Sequence, residues 1–173
     1  MSVIKKIFIC LLCVACCYLL PLLLGESLCP MHIPVLICGL ICGAAYGAAC
    51  GILGPIFSSL LCGTAAVGEL ALVLPELIAY GVFCGLFMKA VRTKSLLLNL
   101  YLSLIPAMLL GRIVGGVFRA IYSFLGFFGA GAFSLPDVFR IHFTSTLHGV
   151  ALHLVFVPLF IVTLKEERII KVK

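Results

Sequence analysis

Apolar runs of membrane-spanning length recur along the whole of this chain, and that recurrence constrains the fold more than any single motif. A helix needs about 20 consecutive apolar residues to cross ~30 Å of hydrocarbon. The sequence offers such runs at 5–24, 70–89, 95–118 and 141–164. Hydrophobic residues make up 64% of the 173 residues and charged residues only 10%, with a mean hydropathy of +1.34. A water-soluble domain carries about 25% charge, so the chain reads as an integral membrane protein, one domain over residues 1–173. The opening MSVIKKIFICLLCVACCYLLPLLLG reads as a first span rather than a cleaved signal, because equivalent runs follow it.

Residues 33–63 exceed one span but suit two helices meeting at a turn near Ala44 to Gly47. The expected fold is an all-α membrane protein, a six-transmembrane-helix bundle with short or tilted second and third helices. Six spans place both termini on one side. Lys5, Lys6, Lys89, Arg92, Lys94, Lys165, Arg168, Lys171 and Lys173, nine of the twelve basic residues, then share that side. The positive-inside rule makes it cytoplasmic, N-in/C-in. The net charge of +6 thus reports orientation and not a nucleic-acid footprint, since the cations fall at span ends and form no stripe.

Gly39, Gly43, Gly47 and Gly51 recur every fourth residue, and Gly81/Gly85 and Gly111/Gly115 repeat the spacing. Small residues at that interval let helix backbones approach closely in lipid. Most of the ten cysteines lie at membrane depth, where a thiol behaves as a small hydrophobe, and no disulfide framework is expected. Cys13 and Cys17 form one further small-residue pair on the first span.

Ionisable residues inside the spans need another explanation, because each costs ~2.5–3.5 kcal/mol at bilayer centre and so faces a cavity or a partner. Counting ~1.5 Å per residue from the expected boundaries puts Glu76 and Arg112 each ~9 Å below the outer face and His148 ~10 Å below it. Helical spacing adds Tyr80 at i+4 from Glu76, Arg119 at i+7 from Arg112, and Ser145 and Thr144 one turn before His148. These side chains are expected to line one outward-opening pocket. Glu76 and Arg112 alternatively form a purely structural pair. His153, deeper and apart from the others, reads as a packed histidine.

Several function classes are disfavoured. No GxxxxGK[ST] loop occurs, so the chain does not power transport by its own nucleotide hydrolysis. His142, His148 and His153 lack the i, i+4 spacing of a shared metal, and neither metal nor cofactor is expected. Ser58 and Ser59 lack the context of a serine nucleophile, which leaves an intramembrane enzyme or protease as a remote reading. A stand-alone secondary carrier for a small polar solute is the other rival, although inverted repeats are not visible. A pocketed bundle without an engine points to a binding subunit that borrows one.

Specific residues carry a family resemblance. Met31-His32-Ile33-Pro34-Val35, the glycine run with Tyr46-Gly47, Gly54-Pro55 then Ser58-Ser59-Leu60-Leu61, Glu76-Leu77 with Tyr80-Gly81, and Ala107-Met108-Leu109-Leu110-Gly111-Arg112-Ile113-Val114 resemble the substrate-specific (S) components of energy-coupling factor (ECF) vitamin transporters. The resemblance spans about residues 31–158. It implies a subunit of the prokaryotic plasma membrane that captures a water-soluble vitamin or precursor (pantothenate, pyridoxine, niacin or pyrimidine-precursor class) from outside. Its implied partners are a transmembrane coupling subunit and two cytoplasmic ATPase subunits, met through the small-residue face of the first span, here Cys13, Ala15 and Cys17. Ligand contacts are implied in the outer halves of the later helices and in the first outer loop. The candidate ligand-binding set is therefore Glu76, Tyr80, Arg112, Arg119, Ser145, His148 and Ser59.

Overall fold

The computed structural model describes residues 2–24, 31–62, 67–125 and 147–166. Those residues form six helices: α1 (Val3–Leu24), α2 (His32–Cys42), α3 (Ala44–Cys62), α4 (Val67–Ala90), α5 (Leu96–Phe124) and α6 (Leu147–Glu166). Among them α1, α3, α4 and α5 contain apolar stretches long enough to cross a bilayer. Large apolar side chains such as Phe8, Leu12, Leu60, Ile105, Leu109 and Leu159 stay exposed on the outside of the bundle. In water they would be a liability, whereas against acyl chains they are solvated.

The turn between α2 and α3 is a single residue, Gly43, slightly before the expected Ala44 to Gly47. Gly43 N–H closes α2 on Gly39 O at 3.0 Å, and Gly43 O accepts from Gly47 N–H at 3.0 Å to open α3. Its φ of 98° belongs to the half of conformational space that glycine enters without a Cβ penalty. Of the two helices expected to be short or tilted, α3 has 19 residues and only α2, with 11, is short.

Close helix contacts set the register of the whole bundle. A Cβ on Gly39 would meet Gly81 O at 2.6 Å and one on Gly51 would meet Leu77 O at 2.7 Å, while Gly47 and Gly81 lie backbone to backbone. The expected glycine seams are therefore real, and they bring α2 and α3 onto one face of α4. Between α4 and α5 the contacts Met88 with Ser103, Tyr80 with Gly111 and Glu76 with Gly115 hold one constant antiparallel register. Cysteine thiols tie α1 down in the same way. Cys42 Sγ donates to Lys6 O (3.8 Å), Cys17 Sγ to Met31 O (3.7 Å) and Cys10 Sγ to Tyr46 O (3.6 Å). Cys10, Cys13, Cys16, Cys17, Cys38, Cys42, Cys50 and Cys84 are free thiols.

The length of α2 decides where the site forms. Eleven residues span only ~16 Å, and Cys42 is fixed near Lys6 at the cationic end of α1. The start of α2 is therefore level with Cys17, seven residues or ~10 Å short of the outer end of α1. Ile33 to Leu40 are all buried, as a helix apolar all round must be when protein covers every face. α2 is the recessed centre of the bundle.

Candidate functional site

Four helices bring polar side chains to the recessed end of α2. Tyr80 donates its hydroxyl to Glu76 Oε1 at 2.7 Å, across the i, i+4 spacing of α4. His32, the first residue of α2, holds Nε2 3.8 Å from the same carboxylate oxygen. Its ring meets Tyr80 edge-on at 5.2 Å between centroids and stacks on His153 of α6 at 5.7 Å and 25°. Glu76, Tyr80 and His153 are buried, and so is Arg112 on α5. Desolvated polar groups at this depth need partners, and Tyr80 and His32 supply them to the Glu76 carboxylate.

Local sequence explains why α5 can come so close. Gly111 lies against the Tyr80 ring, and a Cβ on Gly115 would stand 3.0 Å from Glu76 Oε2. The Gly111/Gly115 pair, read from sequence as generic helix packing, thus makes room for two site residues. Arg112, next to Gly111 on the buried side of α5, is engaged by its surroundings. Pro75 precedes Glu76 inside α4 and has no N–H to give the Ala71 carbonyl. That leaves backbone polarity one turn outward of the carboxylate.

The expected site residues divide accordingly. Glu76 and Tyr80 are hydrogen-bonded to each other on α4, and register places buried Arg112 of α5 level with Ala79, between them. Register places Arg119 level with Leu72, ~6 Å outward of Glu76; it is half-buried, and its buried Nε has no hydrogen-bond partner among the described residues. Ser59 falls level with residue 69, ~10 Å outward of Glu76, outside the cluster. Ser145 and the His148 side chain lie outside the described residues. Helical rise puts His148 ~7 Å outward of His153, so His153 is the α6 histidine at the depth of Glu76, and it is packed but not apart. His32 was missing from the expected set altogether. Among the described residues no group of three or more His, Cys, Asp or Glu side chains is arranged to hold a metal.

The expected partner face needs correction. Cys13 and Cys17 are buried within the bundle, and a Cβ on Gly54 of α3 would meet Cys17 Sγ at 2.8 Å. Their small size serves the α1–α3 contact. Of the three residues only Ala15 is exposed.

The fold and site together define a polytopic helical membrane protein with a buried polar cluster in one half of its bundle. The chain matches the family described as ECF transporter, substrate-specific component, over residues 3–164, and it belongs to that family. It is therefore a substrate-binding membrane subunit of an ECF transporter, a family of transport subunits that work with a coupling membrane subunit and ATPases and not a family of enzymes. No curated protein and no solved structure gives a significant match to the chain.

Proposed function

We propose that this subunit captures a water-soluble vitamin or vitamin precursor, of the pantothenate, pyridoxine, niacin or pyrimidine-precursor class, at the outer half of its bundle in a prokaryotic plasma membrane. The observation that carries the reading is the group of buried Glu76, Tyr80 and His153 with half-buried His32 and with buried Arg112 at the same level, polar side chains from four helices at one depth. Such a group is costly in an apolar bundle, and a ligand that shares its hydrogen bonds gives it a use. Arg112 would offer charge-assisted hydrogen bonds to an anionic or carbonyl group of the ligand, with Arg119 on the way in. Glu76 would accept from a ligand hydroxyl or amide, and the His32 and Tyr80 rings would supply flat apolar contact.

The coupling subunit would meet the exposed side of α1 around Ala15, with two ATPases beyond it. Mass spectrometry of small molecules released from the purified protein tests the ligand class directly. Once the ligand is identified, Glu76→Gln and Arg112→Ala should each weaken its binding, and unchanged affinity in both variants would remove the assigned roles. ATP-independent, gradient-driven uptake into proteoliposomes holding this chain alone would instead favour a secondary carrier.

A further inference from the structure

We infer that the turn joining α4 to α5 is a binding site for the phosphodiester headgroup of an anionic phospholipid, far from the ligand cluster and at the opposite end of the bundle. A depression of ≈ 420 Å³ opens there, lined by Lys89, Arg92, Lys94, Thr93, Asn99 and Met88 among others. Three cations within six residues line it, and no acidic side chain does.

The depression has a fixed frame. Buried Asn99 accepts from Thr93 N–H at 2.7 Å and from Thr93 Oγ1 at 2.6 Å, and its amide donates back to Thr93 O at 3.2 Å. Ser103 continues the brace, donating its hydroxyl to Asn99 O at 2.7 Å, with its oxygen 3.7 Å from Met88 Sδ. The segment between Arg92 and Lys94 is thereby held in one conformation. Helix α5 starts at Leu96 behind Ser95, which gives no side-chain cap, so its first-turn amides and the positive end of its dipole face the same region.

Position selects the source of the phosphate. The depression lies at the cationic end, and the exposed side chains Leu86, Leu97, Leu98, Tyr101 and Leu102 continue from it along the outside of α4 and α5. A headgroup held by Lys89, Arg92 and Lys94 would lay its acyl chains on that apolar strip. A free phosphate would use the cations and leave the strip idle.

Native mass spectrometry of the detergent-purified protein, titrated with dioleoylphosphatidylglycerol or dioleoylphosphatidylcholine, tests the site. The wild type should retain the glycerol lipid in preference to the choline lipid. Arg92→Gln with Lys94→Gln should weaken that retention about 30-fold, while Lys5→Gln with Lys165→Gln, which removes as many cations from the same end, should leave it within about twofold. Asn99→Ala, which keeps every charge but releases Thr93, should also lower the preference. Equal retention of the two lipids, equal loss in the two double variants, or displacement of the lipid by an equal concentration of inorganic phosphate would each overturn the assignment.

Discussion

The His32 imidazole stands 3.8 Å from the Glu76 carboxylate although α2 and α4 are separated in sequence by the whole of α3. The pairing exists because α2 is half a membrane long and is anchored at its cationic end. Its first residue consequently opens into the bundle and not into water. Stacking on His153 and the edge contact with Tyr80 then hold the ring in place.

Replacing His32 separates its two roles. His32→Phe keeps a flat ring between Tyr80 and His153 but removes the polar edge facing Glu76, so thermal stability in detergent should hold while affinity for the released ligand falls. His32→Ala loses both ring contacts, each worth ~0.5–1.5 kcal/mol, and should lower both. Thermal-shift and calorimetric titrations on the pair separate the effects. Equal stability of the two variants would show that the ring contacts carry no weight.

Charge and hydrogen bonding at Glu76 are likewise separable. Glu76→Gln keeps an oxygen to accept from Tyr80, so folding should change by no more than ~1 kcal/mol, the scale of a neutral hydrogen bond. A ligand contact to the charged oxygen is worth ~1.5–3 kcal/mol, so ligand affinity should drop about 10- to 100-fold. Tyr80→Phe preserves the packing on Gly111 and should cost only a few-fold in affinity. Isothermal titration of the two variants against wild type gives the comparison.

Where sequence reasoning succeeded and failed follows from the same geometry. Spans, the glycine seams, the Glu76–Tyr80 pairing and the burial of Arg112 were legible because helical periodicity and the cost of charge in lipid are local properties. His32 was not, because counting depth from a presumed boundary puts the first residue of a helix at the surface. Only the contacts of Cys42 with Lys6 and of Cys17 with Met31 show that this helix begins ~10 Å down. The end of α5 misled in the same way, running to Phe124 where residue 118 was expected. For Cys13 and Cys17 the small-residue pattern was recognised but its direction was not, since spacing alone does not say whether a seam faces the chain's own helices or a partner.

Glycine substitutions should rank by what a new Cβ meets. At Gly81 it would run into the Gly47 backbone, which cannot rotate away, so Gly81→Ala should cost ~3 kcal/mol or more and abolish a monodisperse peak in size-exclusion chromatography. At Gly43 nothing lies within 4 Å, and Gly43→Ala meets only the backbone penalty of φ 98° and ψ 174°, a region held almost entirely by glycine and costing ~1–3 kcal/mol. That variant should purify normally with a lowered melting temperature. A reversed order would contradict the packing of α3 on α4.

Two substitutions on α1 test its division into an inner and an outer face. Ala15 is exposed, so Ala15→Trp should leave the isolated subunit folded and its ligand affinity unchanged. If the coupling subunit docks there, the added indole holds the two helices apart, and uptake by the reconstituted transporter should fall at least tenfold, the ~1.4 kcal/mol or more of a mispacked contact. Cys17 is fully buried against α3, so Cys17→Trp should instead prevent folding, and ligand binding would be lost along with uptake. Measuring binding on the lone subunit and uptake on the complex distinguishes the outcomes. Full uptake by Ala15→Trp would move the coupling interface away from this part of α1.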